Sequence, residues 1–369
     1  MARGFGIKSK SAREQLQRKH PPAKPEPLPE PYAPASVEPT HLGVRDPGDG
    51  ISFFALGDVG GVKAPGPQNA VSVAMQRLLH EGQAAAFALI VGDVVYFNGQ
   101  QMGLVDGRQT GYGDQFYEPY AKLPKPIIAF PGNHDGEPEP GESEKPAESS
   151  LQGFMENFCG LRPEIPKDDP QLEYGRHTQT LPYCEWTLPL RAVTIVAVYS
   201  NVPSGGHLEP RQIDRLTTEL KNAATHKPLI VGLHHPPYSV DSHHGGSPHM
   251  AEILDKAFEE AERIPDLILS GHVHDYQRFT HTINGKQVPY IVTGNGGYHN
   301  LHKLAKDAAP GEELADGVVF EHGDDRRYGF LRLTIKGQTG EGEYVAVTPG
   351  GMPDGSEAQV FLAEDTFKF

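Results

Sequence analysis

Six residues of this chain offer hard oxygen or imidazole ligands from one shared setting, each standing just behind a short apolar run. Asp58 follows Ser52-Phe53-Phe54-Ala55-Leu56-Gly57, Asp93 follows Phe87-Ala88-Leu89-Ile90-Val91-Gly92, and Asn133 follows Ile127-Ile128-Ala129-Phe130-Pro131-Gly132. His234 closes Leu229-Ile230-Val231-Gly232-Leu233, while His272 and His274 come after Leu267-Ile268-Leu269-Ser270-Gly271. Carboxylate, carboxamide and imidazole together suit iron, zinc or manganese. A carboxylate can hold one cation with each oxygen, so Asp93 is expected to bridge two ions about 3.5–4 Å apart, the spacing of two-metal hydrolytic sites. A single Gly-Asp behind a strand is ordinarily a turn or cap. Five such coincidences on separate runs point instead to a built centre.

The runs themselves read as buried strands, being short, apolar and closed by residues that release the backbone into a turn. Between the first two, Val71, Met75, Leu78 and Leu79 recur at helical spacing and predict a helix over 69–80. Strand and helix in alternation predict a mostly parallel sheet, whose carboxyl edge is where open α/β proteins build their sites. Short helices are expected near 115–120 and 151–159. A second group of strands opens at Val193–Val198, with helices starting at Pro210 and at Ser247-Pro248, where serine caps and proline takes the first turn. Val288–Val292, Phe330–Ile335 and Tyr344–Val347 are expected to finish a second sheet.

The 369 residues carry a formal charge of −15, which argues against a nucleic-acid-binding surface. A site for anions in such a chain must be locally positive, as paired cations among histidines would be. Two cysteines, Cys159 and Cys184, imply no disulfide framework, and their spacing leaves both a single bridge and two buried thiols open. No window is long and apolar enough to cross a membrane, and Met1–His20 lacks the apolar stretch of a secretory signal, so a cytoplasmic protein is expected. Residues 1–48, proline-rich from Pro21, read as a disordered tail, and 49–369 as the catalytic domain. The acidic run 136–150 hangs behind Asn133-His134-Asp135 as a lid or as a tolerated insertion. The pattern sets no oligomeric state.

Gly57-Asp58-Val59-Gly60, Gly92-Asp93-Val94-Val95-Tyr96, Gly132-Asn133-His134-Asp135, Val231-Gly232-Leu233-His234 and Gly271-His272-Val273-His274 follow one another as the blocks of calcineurin-like metallophosphoesterases do. The chain resembles that family over residues 57–274 and, within it, the purple acid phosphatases. The resemblance implies an α/β fold of two packed mixed β-sheets flanked by helices, the α/β/β/α metallophosphoesterase sandwich. Most of the family carries a histidine two places after the first aspartate, where this chain has Gly60. Purple acid phosphatases share the gap and fill it with a tyrosine three places after the bridging aspartate, where Tyr96 stands. Alone, Tyr96 would be an ordinary strand-end aromatic. Its phenol, with a pKa of about 10 in water, ionises on a trivalent cation.

Carried over residue by residue, the resemblance implies that Asp58, Asp93, Tyr96 and His274 hold Fe(III). Asp93, Asn133, His234 and His272 would hold a divalent ion, whether iron, zinc or manganese. His235 rivals His234, but the spacing from Val231 and the following Pro236-Pro237-Tyr238 favour His234. Plant-type relatives also set three histidines against phosphate, which here match His134 and the pair His243-His244. Such a pair in Ser242-His243-His244-Gly245-Gly246 is otherwise a solvated surface feature. The implied reaction is hydrolysis of a phosphomonoester by a metal-bound hydroxide, with these imidazoles on the phosphate oxygens and one of them protonating the leaving alkoxide. A phosphodiesterase or nucleotide hydrolase on the same core is the alternative, and a scaffold with this fold and no catalysis a more distant one.

Overall fold

The computed structural model describes residues 11–45, 48–99, 104–105, 108–109, 111–138 and 149–369. Its strands begin with β1 (Ala35–Ser36), β2 (Gly50–Leu56), β3 (Ala88–Val91), β4 (Leu104–Val105), β5 (Arg108–Gln109), β6 (Ile127–Phe130), β7 (Trp186–Pro189) and β8 (Thr194–Val198). They continue with β9 (Leu229–Leu233), β10 (Leu267–Ser270), β11 (Tyr276–Ile283), β12 (Lys286–Thr293), β13 (Glu312–Ala315), β14 (Val318–Asp324), β15 (Tyr328–Lys336), β16 (Thr339–Thr348) and β17 (Gln359–Lys368). One sheet has the order β17-β16-β15-β2-β3-β6 and the other β1-β7-β8-β9-β10-β12-β11-β14-β13, while β4 and β5 pair alone. Within the first, β2, β3 and β6 are parallel; within the second, β8, β9, β10 and β12 are.

The continuous apolar runs are strands buried on both faces, and successive side chains go to opposite sides. In β8, Ile195 and Ala197 join the core shared with Phe53, Phe54 and Leu89 of the six-stranded sheet. Val196 and Val198 join a separate core with the helices Pro210–Asn222 and Pro248–Ala261, through Leu216, Leu220, Leu254 and Phe258. The helix Gly66–His80 closes the far side of the first sheet with Val71, Ala74, Met75 and Leu78. Two mixed sheets therefore pack face to face between helices. Ser247 Oγ accepts from Met250 N at 3.2 Å and caps its helix, as its place before Pro248 predicts.

Two expectations need correction. β15 and β16 do not finish the second sheet, because β15 lies antiparallel along β2 from Leu331↔Ala55 to Lys336↔Gly50. The free edge of β2 takes them, which pairs backbone groups that would otherwise stand open. Nor is the whole of 1–48 a disordered tail. Helix Ala12–Leu16 is capped by Ser11 Oγ, β1 pairs in parallel with β7, and Leu28, Val37, Leu42 and Val44 enter the main core. A count of apolar residues missed this because the few present each fill a slot. The proline-rich stretch is also extended before it docks and loses little entropy on ordering. Residues 1–10 and most of the 136–150 loop lie outside the described residues. Cys159 and Cys184 are free thiols, and among the described residues no helix is long and apolar enough to cross a membrane.

Candidate metal centre

The carboxyl ends of β2, β3 and β6 meet those of β9, β10 and β12 along one seam between the sheets. Backbone bonds knit the tips together: Asp58 N donates to Gly92 O at 3.0 Å, Gly57 N to Thr293 O at 2.8 Å, and Gly271 N to His234 O at 3.0 Å. Asp58, Asp93 and His272 take left-handed φ values of 55°, 51° and 68°. Such backbone costs of order 1–3 kcal/mol at each non-glycine residue and is kept where its surroundings impose it. Here it turns each side chain back over its strand end.

Two groups of donors result. In the first, the Tyr96 hydroxyl donates to Asp58 Oδ1 at 3.1 Å and lies 3.3 Å from His274 Nε2, itself 3.4 Å from Asp58 Oδ1. In the second, Asn133 Oδ1 is 3.1 Å from His234 Nε2 and 2.9 Å from His272 Nδ1. Asp93 stands between the groups, with Oδ1 accepting from His134 N at 2.9 Å and Oδ2 lying 3.3 Å from His234 Nε2. Asp93 Oδ2 and His272 Nε2 are both buried without a hydrogen-bond partner. A bound cation would satisfy Asp93 Oδ2, while His272 would meet it through Nδ1, the nitrogen facing Asn133 Oδ1, so the donor set fits a metal pair. Ring orientation agrees with this. His234 Nδ1 and His274 Nδ1 each face a carbonyl, Val91 O at 3.0 Å and Asn300 O at 2.9 Å, so they carry the protons and leave Nε2 as a ligand.

Charge is finely set at the seam. Burial disfavours a charged His234, yet Asp93 and Asp58 outweigh it and raise its pKa to about 9. Burial opposes the Asp93 charge too, but His234 and His134 hold that carboxyl well below the usual range. Burial, with Asp58 and Asp93 beside it, pushes the Tyr96 phenol far up. Protons thus sit where cations would bind, and a cation would displace them.

Residues 51–276, more than half of the chain, match the model of the Calcineurin-like phosphoesterase family. The chain belongs to that family. It is 29% identical over 160 residues to purple acid phosphatase 21 of Arabidopsis thaliana, an alignment covering 40% of this chain and 35% of the relative. The chain therefore spans about a third of that relative's length. Among solved structures it is similar to GAP50, the anchor in the inner membrane complex of Plasmodium, with a TM-score of 0.56 and 15% identity over 86% of this chain and 88% of that one. It is also similar to PhoD, with a TM-score of 0.53 and 11% identity over 93% and 71% of the two chains. At such identities the likeness is one of fold. The family implies two metal ions.

In this chain the place of the histidine that most of the family carries is filled. A Cβ on Gly60 would lie 2.5 Å from Gln115 Oε1 and 2.9 Å from Tyr96 Cδ2, so the glycine leaves room for the Tyr96 ring and the amide that clamps it. Gln115 takes the Tyr96 N–H at 2.9 Å and donates to its carbonyl at 2.7 Å, and Tyr298 stacks on the ring at 3.9 Å. His235 has its Nδ1 2.8 Å from Ser200 Oγ and its ring 4.3 Å from that of His272. His134 is brought to the centre, 4.5 Å ring to ring from Tyr96. His244 packs 4.2 Å from His272, while His243 stays exposed beside it.

Gln115, Asp135 and His302 were not singled out by sequence reasoning. Asp135 closes the Gly132-Asn133-His134-Asp135 block and accepts Gly132, Val94 and Val95 N–H groups at 2.8–3.2 Å, tying the Asp93 and Asn133 loops together. Gln115 and His302 carry no such local signal.

Proposed function

We propose that this chain is a binuclear phosphomonoester hydrolase of the purple acid phosphatase type. The observation that carries the reading is the Tyr96 hydroxyl, 3.1 Å from Asp58 Oδ1 and 3.3 Å from His274 Nε2, in space that Gly60 leaves clear. A phenolate among these donors favours Fe(III), with divalent iron, zinc or manganese on Asn133, His234 and His272 and with Asp93 shared. When bound, the pair supplies Lewis-acid polarisation of the ester and a nucleophilic water acidified toward neutral pH.

The chain's own residues do the rest. His134, half-exposed and fixed through its backbone N–H on Asp93, lies at the mouth of the centre and binds a phosphate oxygen. His244, packed on His272, holds another, and His243, exposed at the rim, is placed to give a proton to the departing alkoxide. No residue needs to be phosphorylated.

Loading the protein with iron and replacing Tyr96 by phenylalanine tests the reading. The wild type should absorb in the visible through a tyrosinate–iron transition and the variant should not. A colourless iron-loaded wild type refutes the tyrosine assignment, and a panel of monoesters, diesters and nucleotides then decides the substrate class.

A further inference from the structure

Beside the paired centre lies a second imidazole cluster. His243, His244 and His302 each offer a nitrogen, all within 4.8 Å of one another, with His243 exposed, His244 half-buried and His302 buried. His302 packs at 4.2 Å and 26° on His274, and His244 packs at 4.2 Å on His272, so the cluster shares a wall with the centre without using its ligand atoms. Asp241 is fully buried behind it. Its Oδ2 accepts from His244 N at 2.5 Å and lies 3.5 Å from His302 Nδ1, while its Oδ1 has no partner.

We infer that His243, His244 and His302 form a third metal site, for zinc or another borderline divalent ion, and that its occupation withdraws His243 and His244 from phosphate. Three imidazoles with a fourth position open make an established zinc donor set. Binding on His302 Nε2 needs the Nδ1–H tautomer: Nδ1, which takes the His274 N–H at 3.4 Å, would instead donate to Asp241 Oδ2, 3.5 Å away, and a carboxylate so placed raises the basicity of the ring. A tetrahedral site with bonds of about 2.0–2.1 Å needs nitrogens roughly 3.4 Å apart. The remaining closure falls to His243 and His244, which sit on a loop running into Gly245-Gly246, while His302 stays fixed. Cations next door repel a third one, so this site is weaker than the paired centre and fills only in zinc excess.

The inhibitory part rests on the phosphatase reading; the site itself does not. Holoprotein is titrated with zinc chloride by calorimetry, and bound zinc is counted by elemental analysis after desalting. One further equivalent should bind the wild type, and at least tenfold more weakly or not at all to His243→Ala or His302→Ala. His243 is exposed, so its variant folds even if the His302 variant does not. Zinc should also inhibit wild-type phosphomonoester hydrolysis to a saturating limit and spare the turnover of His302→Ala. No further equivalent in the wild type, or an equivalent kept by His243→Ala, overturns the site. A third equivalent lost on mutation in a protein with no hydrolytic activity upholds the site and removes the phosphatase reading instead.

Discussion

Replacing Gly60 by alanine puts the seat of Tyr96 to a direct test. The new methyl would stand 2.5 Å from Gln115 Oε1 and 2.9 Å from Tyr96 Cδ2, both closer than carbon tolerates, and 3.0 Å from Val94 O, a tight contact. Tyr96 is stacked on Tyr298 and Val94 O is backbone, so the Gln115 amide must give. It holds the Tyr96 N–H at 2.9 Å and the Tyr96 carbonyl at 2.7 Å, both buried. Two buried backbone groups losing their partners cost about 1–3 kcal/mol each, or about 2–6 kcal/mol together. Urea denaturation of the wild type and variant reads this loss, and the visible band of the iron-loaded protein should weaken or shift as the phenol leaves its position. Gly60→Ala combined with Gln115→Ala should cost less than the two changes added, since cutting the amide removes the clash. A Gly60→Ala protein of unchanged stability and unchanged colour refutes the claim that glycine stands there to admit the tyrosine.

Chelating the metals should lower the melting temperature, because the donors come from both sheets and a ligand present at a hundred times its dissociation constant stabilises by about 2.7 kcal/mol. An identical melting curve after verified metal removal would contradict a cross-sheet centre. Leu16→Ala, at a side chain 3% exposed, should cost about 2–5 kcal/mol in denaturant and lower turnover at constant metal content. Turnover held at the wild-type value would show that the loop of His243 does not depend on the arm beneath it. Burial first, then Glu185 and Cys159, pushes the Cys184 thiol far up, so a disulfide reagent should react with Cys184 only after unfolding. Prompt modification of the native protein would mean that this part of the core opens.

The position of the candidate donors was legible because they stand at strand ends, behind short continuous apolar runs that mark buried strands. Asp58, Asp93, Asn133, His234, His272 and His274 are brought together in this way. Partners supplied by tertiary contact were not legible. Gln115 reaches Tyr96 from 19 residues away and His302 meets Asp241 from a loop after β12, and neither leaves a periodic trace. The same limit explains β15, whose alternation marks a strand but does not say which edge it will join. Residues 11–45 escaped because composition averages over a segment, whereas docking depends on where Leu16, Leu28, Val37 and Leu42 fall.

The docked arm ties the histidine loop to a part of the chain that holds no candidate ligand. Gly246 N donates to Gln15 O at 3.0 Å, His20 Nε2 lies 2.9 Å from Gly246 O, and the Arg18 guanidinium donates to the carbonyl of His243. Between this anchor and β1 the backbone runs over the surface through Pro21, Pro22, Pro25 and Pro27. One proteolytic nick there would leave the short helix Ala12–Leu16 held by its own few bonds and free to diffuse away. The histidine loop would then lose its floor while every metal donor stayed in place, so the proposed phosphate contacts would go with one clipped strap.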